Sequence, residues 1–335
     1  MNAHAIDWLI MAGFAAALIG LAAYTRRYAR SVADFLAANR CAGRYLLTIS
    51  QGMTGLGAIS VVACFEMYYR AGFTAAWWQM CILPFMLVVT VSGWVVYRYR
   101  ETRALTLAQF FEVRYSRRFR IFCGILAWVS GVINMGIFPA VTANFFIYFL
   151  GLPERLIVLG LPVSTFAALM VLELSVAVAL TLMGGMVVVA ITDAFQGIFA
   201  NAAFLLILCV IFWRFDWSQI IAGLQAAPAD ASMINPFHTS GEDDFNVAYF
   251  LMNAFYTIYI FKAWQGGQGY NAAAANAHEA RMAGILAQWR DLIQGLLILM
   301  LPICAFALLH HPGFAADTRA VQQVIGQIAN PQLQE

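Results

Sequence analysis

A chain of 335 residues that is 62% apolar and only 11% charged, with a net charge of +2, is too oily for a water-soluble fold. Soluble domains carry roughly 25% charged residues, and a fold of this length could not hide so much apolar surface without lipid around it. The cysteines, Cys41, Cys64, Cys81, Cys123, Cys209 and Cys304, have no CxxC or metal-type spacing and read as small membrane-buried hydrophobes.

Eight apolar stretches are long enough to span a bilayer: 6–24, 47–69, 74–97, 120–149, 156–181, 186–213, 245–263 and 286–309. No water is available there for backbone groups, so each reads as a helix. Barrel strands would alternate polar and apolar, and these stretches do not. The prediction is an all-α integral membrane protein of about eight transmembrane helices. The first stretch has no Lys or Arg before it, whereas Arg26, Arg27 and Arg30 follow it. A cleaved signal has the opposite polarity, so this reads as a retained helix with its N-terminus outside.

The second stretch opens with Gln51-Gly52-Met53-Thr54-Gly55-Leu56-Gly57-Ala58-Ile59-Ser60. Its three glycines have two readings. Small residues let helices pack closely. They also weaken helix continuity, and an unwound midpoint would offer carbonyls to an ion. Polar residues within the apolar stretches are Glu66, Asn134, Glu173, Asp193, Tyr256 and Tyr259. Charged groups at membrane depth tend to face a cavity or a partner.

The loops set the orientation. Arg26, Arg27, Arg30, Arg40, Arg44, seven arginines between 98 and 120, and Lys262, Arg281 and Arg290 fall on one side, 15 basic residues in all. Arg70, Arg155, Arg214 and Arg319 fall on the other. The positive-inside rule makes the first side cytoplasmic. The loop 214–244, ending in Glu242-Asp243-Asp244, is then external.

Five segments resemble a known family. Ser31–Arg40 is similar to a "DFxxAGR" loop. Residues 51–63, with Tyr69-Arg70-Ala71-Gly72, resemble a core helix and its "YxxG" end. Thr106–Tyr115 resembles a "T..E...RY" segment, Gly184–Gln196 a "GG..av..TD..Q" segment, and Ala272–Arg281 an "AA....EAR" segment. Together, in this order, they resemble the sodium:solute symporter family, which includes bacterial proline/sodium and galactose/sodium symporters.

The resemblance implies a leucine-transporter-like inverted-repeat core preceded by one extra helix. Residues 1–45 would hold the extra helix and loop, 46–214 the first repeat with core helices one to five, and 215–335 the start of the second repeat with core helices six and seven. The chain would then be the N-terminal portion of a longer transporter in the bacterial inner membrane. By the same resemblance, the carbonyls of Met53 and Leu56 would hold sodium, Asp193 would lie on the sodium path, and Arg40 would serve coupling. Glu66, Asn134, Tyr256 and Tyr259 would face the solute.

The implied activity is sodium-coupled symport of a small organic solute by alternating access. Sodium is the coupling ion, no cofactor is needed, and the partners are the solute and the bilayer, not nucleic acid. Two alternatives stand beside it: a transporter-like sensor module of a signalling protein, and a non-transporting fragment. No GxSxG, HExxH, P-loop or CxxC pattern points to an enzyme.

Overall fold

The computed structural model describes residues 4–158, 160–239, 245–261 and 265–326. Lys262 and the acidic run Glu242-Asp243-Asp244 lie outside the described residues. In chain order come α1 (Ala5–Thr25), α2 (Val32–Ala37), α3 (Arg44–Gly55), α4 (Ala58–Met80), α5 (Leu83–Ser92), α6 (Trp94–Glu101), α7 (Leu107–Arg114) and α8 (Arg117–Leu150). A short antiparallel hairpin follows, β1 (Arg155–Val158) with β2 (Leu161–Ser164). The chain continues through α9 (Thr165–Arg214), α10 (Trp217–Leu224), α11 (Val247–Tyr259), α12 (Gln265–Ala273), α13 (Ala277–His310) and α14 (Ala315–Gly326). Among the described residues, five helical runs are long and apolar enough to cross a membrane: Ala5–Tyr28, Ala58–Glu101, Arg117–Leu150, Thr165–Arg214 and Ala277–His310.

The expected stretches overlap these helices, with local differences: the helical part of 156–181 and all of 186–213 fall within the single α9, and 74–97 also turns at Cys81–Ile82. The stretch 156–181 starts as the hairpin and turns helical only at Thr165. Gly151 closes α8 in the left-handed region (φ 62°), with its amide on the Ile147 and Tyr148 carbonyls. Pro162 has no N–H to give a helix, so the chain folds back before restarting. The stretch 74–97 is interrupted at Gly93 (φ 66°), which heads α6. The stretch 245–263 ends as a helix at Tyr259 and a new helix begins at Gln265, although its sequence offers no proline or glycine break before that point.

The chain divides into two compact units. Unit 1 is Met1–Ser60, Val89–Ala200 and Ile260–Asp291. Its core joins Leu47 of α3, Val96 of α6, Ala190 of α9, Tyr270 and Ala273 of α12, and Ala283 of α13. Alanines dominate it, and small side chains let helix backbones approach in a bilayer. Unit 2 is Val61–Val88, Asn201–Tyr259 and Leu292–Glu335. There Ile220 and Leu224 of α10 pack with Leu208, Ile211, Met300 and Ile303. The loop after α10 is tied to α4: Thr74 Oγ1 donates to the Ser232 carbonyl at 2.6 Å, and Trp78 Nε1 to the Pro236 carbonyl at 3.2 Å.

Within unit 1, α2 is a wedge. Ser31 and Asp34 form a reciprocal cap: the Asp34 amide donates to Ser31 Oγ at 3.1 Å, and the Ser31 amide to Asp34 Oδ2 at 2.9 Å. The Ser31 hydroxyl and the Arg30 amide hold the Asp34 carboxyl below the usual carboxylate range. A depressed carboxylate stabilises the fold at neutral pH and loses that contribution as pH falls through its titration. The capped turn presents Phe35 to α9 at its kink. There Gly184 is extended, and Gly185 adopts φ 55°, ψ −139°, a conformation open only to glycine. A Cβ on Gly185 would meet the Phe35 ring at 2.6–2.7 Å as well as its carbonyl.

Gly185→Ala is therefore expected to destabilise the protein by about 2 kcal/mol or more, through both strain and collision. Gly13→Ala, which faces open space, is the control. Thermal unfolding in detergent checks this, and equal melting temperatures for the two variants would refute it.

Candidate functional site

The site begins at the interruption between α3 and α4. Leu56 caps α3 in an extended conformation (φ −97°, ψ 105°), its amide on the Met53 carbonyl at 3.3 Å, and α4 restarts at Ala58. The three glycines divide the two roles read for them. Gly52 serves packing, because a Cβ there would meet Arg290 Nε at 2.6 Å. Gly55 and Gly57 face open space at the interruption itself. Thr54 Oγ1 donates to the Gln51 carbonyl at 2.7 Å and Ser60 Oγ to the Gly55 carbonyl at 2.9 Å, which eases the break for the backbone.

One face of α9 is laid along α3 just before this break. Ser50 Oγ is fully buried and lies 2.7 Å from the carbonyls of both Leu46 and Ala190, sharing its proton between them. Near the break, Gly197 lets α9 approach so closely that a Cβ would meet Ile49 Cγ2 at 2.7 Å and Met53 Cγ at 3.5 Å. Asp193 lies between these contacts on the same face, one turn from each. Its Oδ2 accepts a hydrogen bond from the Tyr270 hydroxyl of α12, and Tyr270 is only 2% exposed. Next to it, Asn271 Oδ1 accepts from Gln51 Nε2 at 3.4 Å, and Asn271 Nδ2 donates to Gln268 Oε1 at 3.0 Å. A buried polar seam therefore joins α3, α9 and α12 beside an interrupted helix.

The first half of α13 fastens the other side of α3. Glu279 grips Arg44 with both oxygens, at 2.5 Å to Nη2 and 3.0 Å to Nε, and also accepts the Arg44 amide at 2.8 Å. The carboxylate holds the Arg44 guanidinium above its ordinary range. Thr48 Oγ1 donates to the Arg44 carbonyl at 2.7 Å. Arg290 Nη1 donates to the Thr48 carbonyl, and its Nη2 pairs with Asp291 at 2.6 Å.

Of the residues expected from sequence, Asp193 sits in this seam, Met53 lies against Gly197 of α9, and Leu56 caps α3 at the break. Arg40 is elsewhere in unit 1, donating to the Arg103 carbonyl. Asn134 spends its amide on the Ser130 carbonyl, one turn back on α8. Glu66, Tyr256 and Tyr259 belong to unit 2, where each is exposed, and Tyr259 stacks on Phe255. Glu173 keeps one buried carboxylate oxygen without a hydrogen-bond partner among the described residues.

The family profile of the sodium:solute symporters matches residues 35–261. The chain belongs to the sodium:solute symporter family. Among solved structures, a Na+-coupled sialic acid symporter, captured substrate-bound and outward-open, superposes with a TM-score of 0.75 at 17% identity. The match covers 99% of this chain and 67% of that one. No curated protein matches at a significant level. The symporter is thus an integral membrane protein with a leucine-transporter-like core, as the motifs implied, and its family's activity is sodium-coupled solute symport.

Sequence reasoning missed Ser50, Tyr270, Asn271 and Arg290. Ser50 stands directly before the glycine run and could have been read with it. Tyr270 and Asn271 follow Gln265-Gly266-Gly267-Gln268-Gly269, whose density of small and polar residues was the available signal.

Tyr270→Phe in the symporter removes the donor to Asp193 and is expected to cost about 1–3 kcal/mol. Combined with Asp193→Ala, which removes the acceptor, the loss should be less than additive, because both changes remove the same hydrogen bond. Thermal melts of the two single variants and the double variant check this, and strict additivity would mean the contact carries no coupling.

Proposed function

We propose that the seam beside the α3–α4 interruption is the sodium-handling site of this symporter. Sodium is a hard cation that takes oxygen ligands, and a broken membrane helix offers carbonyls without burying a full charge. The Met53 and Leu56 carbonyls supply such oxygens, and the Asp193 carboxylate, one turn along α9 from the Gly197 that meets Met53, draws the cation along α9. The observation that supports this reading most is Asp193 itself, set in the seam on the α9 face that touches Met53. Arg40 serves coupling, and Asn134, Glu66, Tyr256 and Tyr259 are the candidates to meet the solute.

The proposed organisation follows the family's internal repeat. Residues 1–45 form the extra helix and loop, 46–214 the first repeat, and 215–335 the opening of the second. The arginine-rich face is cytoplasmic, the N-terminus is external, and the membrane is a bacterial inner membrane.

Energetics make a single ion adequate. A potential of about 100 mV contributes roughly 2.3 kcal/mol per charge, and a tenfold sodium gradient about 1.4 kcal/mol. One ion entering per neutral solute then sustains about 500-fold accumulation.

Binding of radiolabelled sodium to the purified full-length protein tests the assignment. Asp193→Asn is expected to weaken apparent sodium affinity about tenfold, while Asn134→Ala leaves it unchanged. Undiminished sodium binding by the Asp193 variant would remove it from the path. Solute uptake into proteoliposomes with and without a sodium gradient tests symport separately.

A further inference from the structure

Among the described residues, four other than glycine hold positive φ: Ala38 (43°), Asn39 (49°), Arg40 (56°) and Arg103 (56°). Left-handed backbone is unfavourable for such residues and persists only where the surroundings impose it, often at functional sites. Here the first three are consecutive, and Arg40 reaches the fourth. Arg40 Nη2 donates to the Arg103 carbonyl at 2.5 Å, and Arg40 and Arg103 both line a cavity of about 390 Å³ with Arg100, Glu101, Asn276 and Ala277.

The charges in this cavity do not balance. Arg100 is only 7% exposed, anchored by the Ala274 carbonyl at 2.7 Å and the Ala275 carbonyl at 3.1 Å. Arg40 Nε is buried and has no hydrogen-bond partner among the described residues. Glu101 is the one carboxylate in the lining, and it forms no ion pair with the three arginines among the described residues. Arginines that merely anchor a membrane face spread into the headgroups. Here Arg100 is buried, Arg40 half-buried and Arg103 exposed around one common space, where like charges repel unless an anion sits between them. Asn276 and Ala277 stand at the head of α13, and the positive end of that helix adds to the field.

We propose that this cavity binds a phosphate-type anion, either free phosphate or the phosphodiester headgroup of an anionic lipid. Planar guanidinium forks match phosphate oxygens, and three of them border this one space. Glu101, beside the arginines, opposes the anion and limits its affinity. The site is lined by none of the seam's side chains, though it shares Arg40 with the proposed coupling role.

Thermal melting of the purified full-length protein tests this in two arms. One titrates inorganic phosphate into protein held in phosphatidylcholine nanodiscs, with ionic strength matched by chloride. The other raises the phosphatidylglycerol fraction of the nanodiscs in phosphate-free buffer. A saturable rise in melting temperature is expected. The phosphate arm responding assigns a free anion, and the phosphatidylglycerol arm responding alone assigns a lipid headgroup. Arg103→Gln should raise the half-saturating concentration or lipid fraction about tenfold, and Glu101→Gln should lower it. Arg118→Gln, exposed at the head of α8, should leave it unchanged. No rise in either arm, or equal weakening by Arg103→Gln and Arg118→Gln, would overturn the proposal. Should Arg103→Gln fail to fold, Glu101→Gln decides alone, and unchanged or weaker binding in that variant rejects the site.

Discussion

Inside a bilayer no solvent is present to satisfy a peptide group, so every interruption of a helix must be covered by something. Much of unit 1 follows from that constraint. The chain breaks its helices at Leu56–Gly57 and at Gly184–Gly185, and each break has its own cover. At the first, the hydroxyls of Thr54 and Ser60 reach back to the carbonyls of Gln51 and Gly55. At the second, the capped turn α2 pushes Phe35 against the glycine. Broken helices are thus compatible with a membrane fold because neighbouring elements are shaped to them.

Close packing lets the polar groups of the seam stay buried. Gly197, Ala190 and Ala283 carry little side chain, so α3, α9 and α13 approach until hydroxyls reach carbonyls on the neighbouring helix. Ser50 bonds Ala190 in this way, and Thr48 bonds Ala283 at 3.3 Å. Asp193 stands in this setting accepting from the Tyr270 hydroxyl. A carboxylate so placed keeps acceptor capacity beyond that one bond.

The parts of this architecture that depend on local chemistry were legible in the sequence. Lengths of apolar runs gave the long helices, and the spacing of Gly52, Gly55 and Gly57 announced both a close contact and a break. Motif order gave the family. What stayed hidden depends on partners remote in the chain. Nothing near Asp193 names Tyr270, and nothing near Gly52 names Arg290, because periodicity reports which face is apolar and not what comes to lie against it. The hairpin at 155–164 was absorbed into a helix because its residues are as apolar as a span, and Pro162 alone was too weak a signal against that run. The end of α11 at Tyr259 had no proline or glycine to mark it. The strained arginines were likewise invisible: Ala38, Asn39 and Arg40 have no glycine among them to suggest left-handed backbone.

The clasp between Arg44 and Glu279 joins residues 235 positions apart. A ribosome adding about 5–20 residues per second needs roughly 12–47 seconds to make that intervening chain. Throughout that interval α3 has been delivered to the insertion machinery without its counter-charge, and with Gly52 lacking the guanidinium that later covers it. Maturation of α3 is in this way held open until α13 has been made, so the two segments are linked in time.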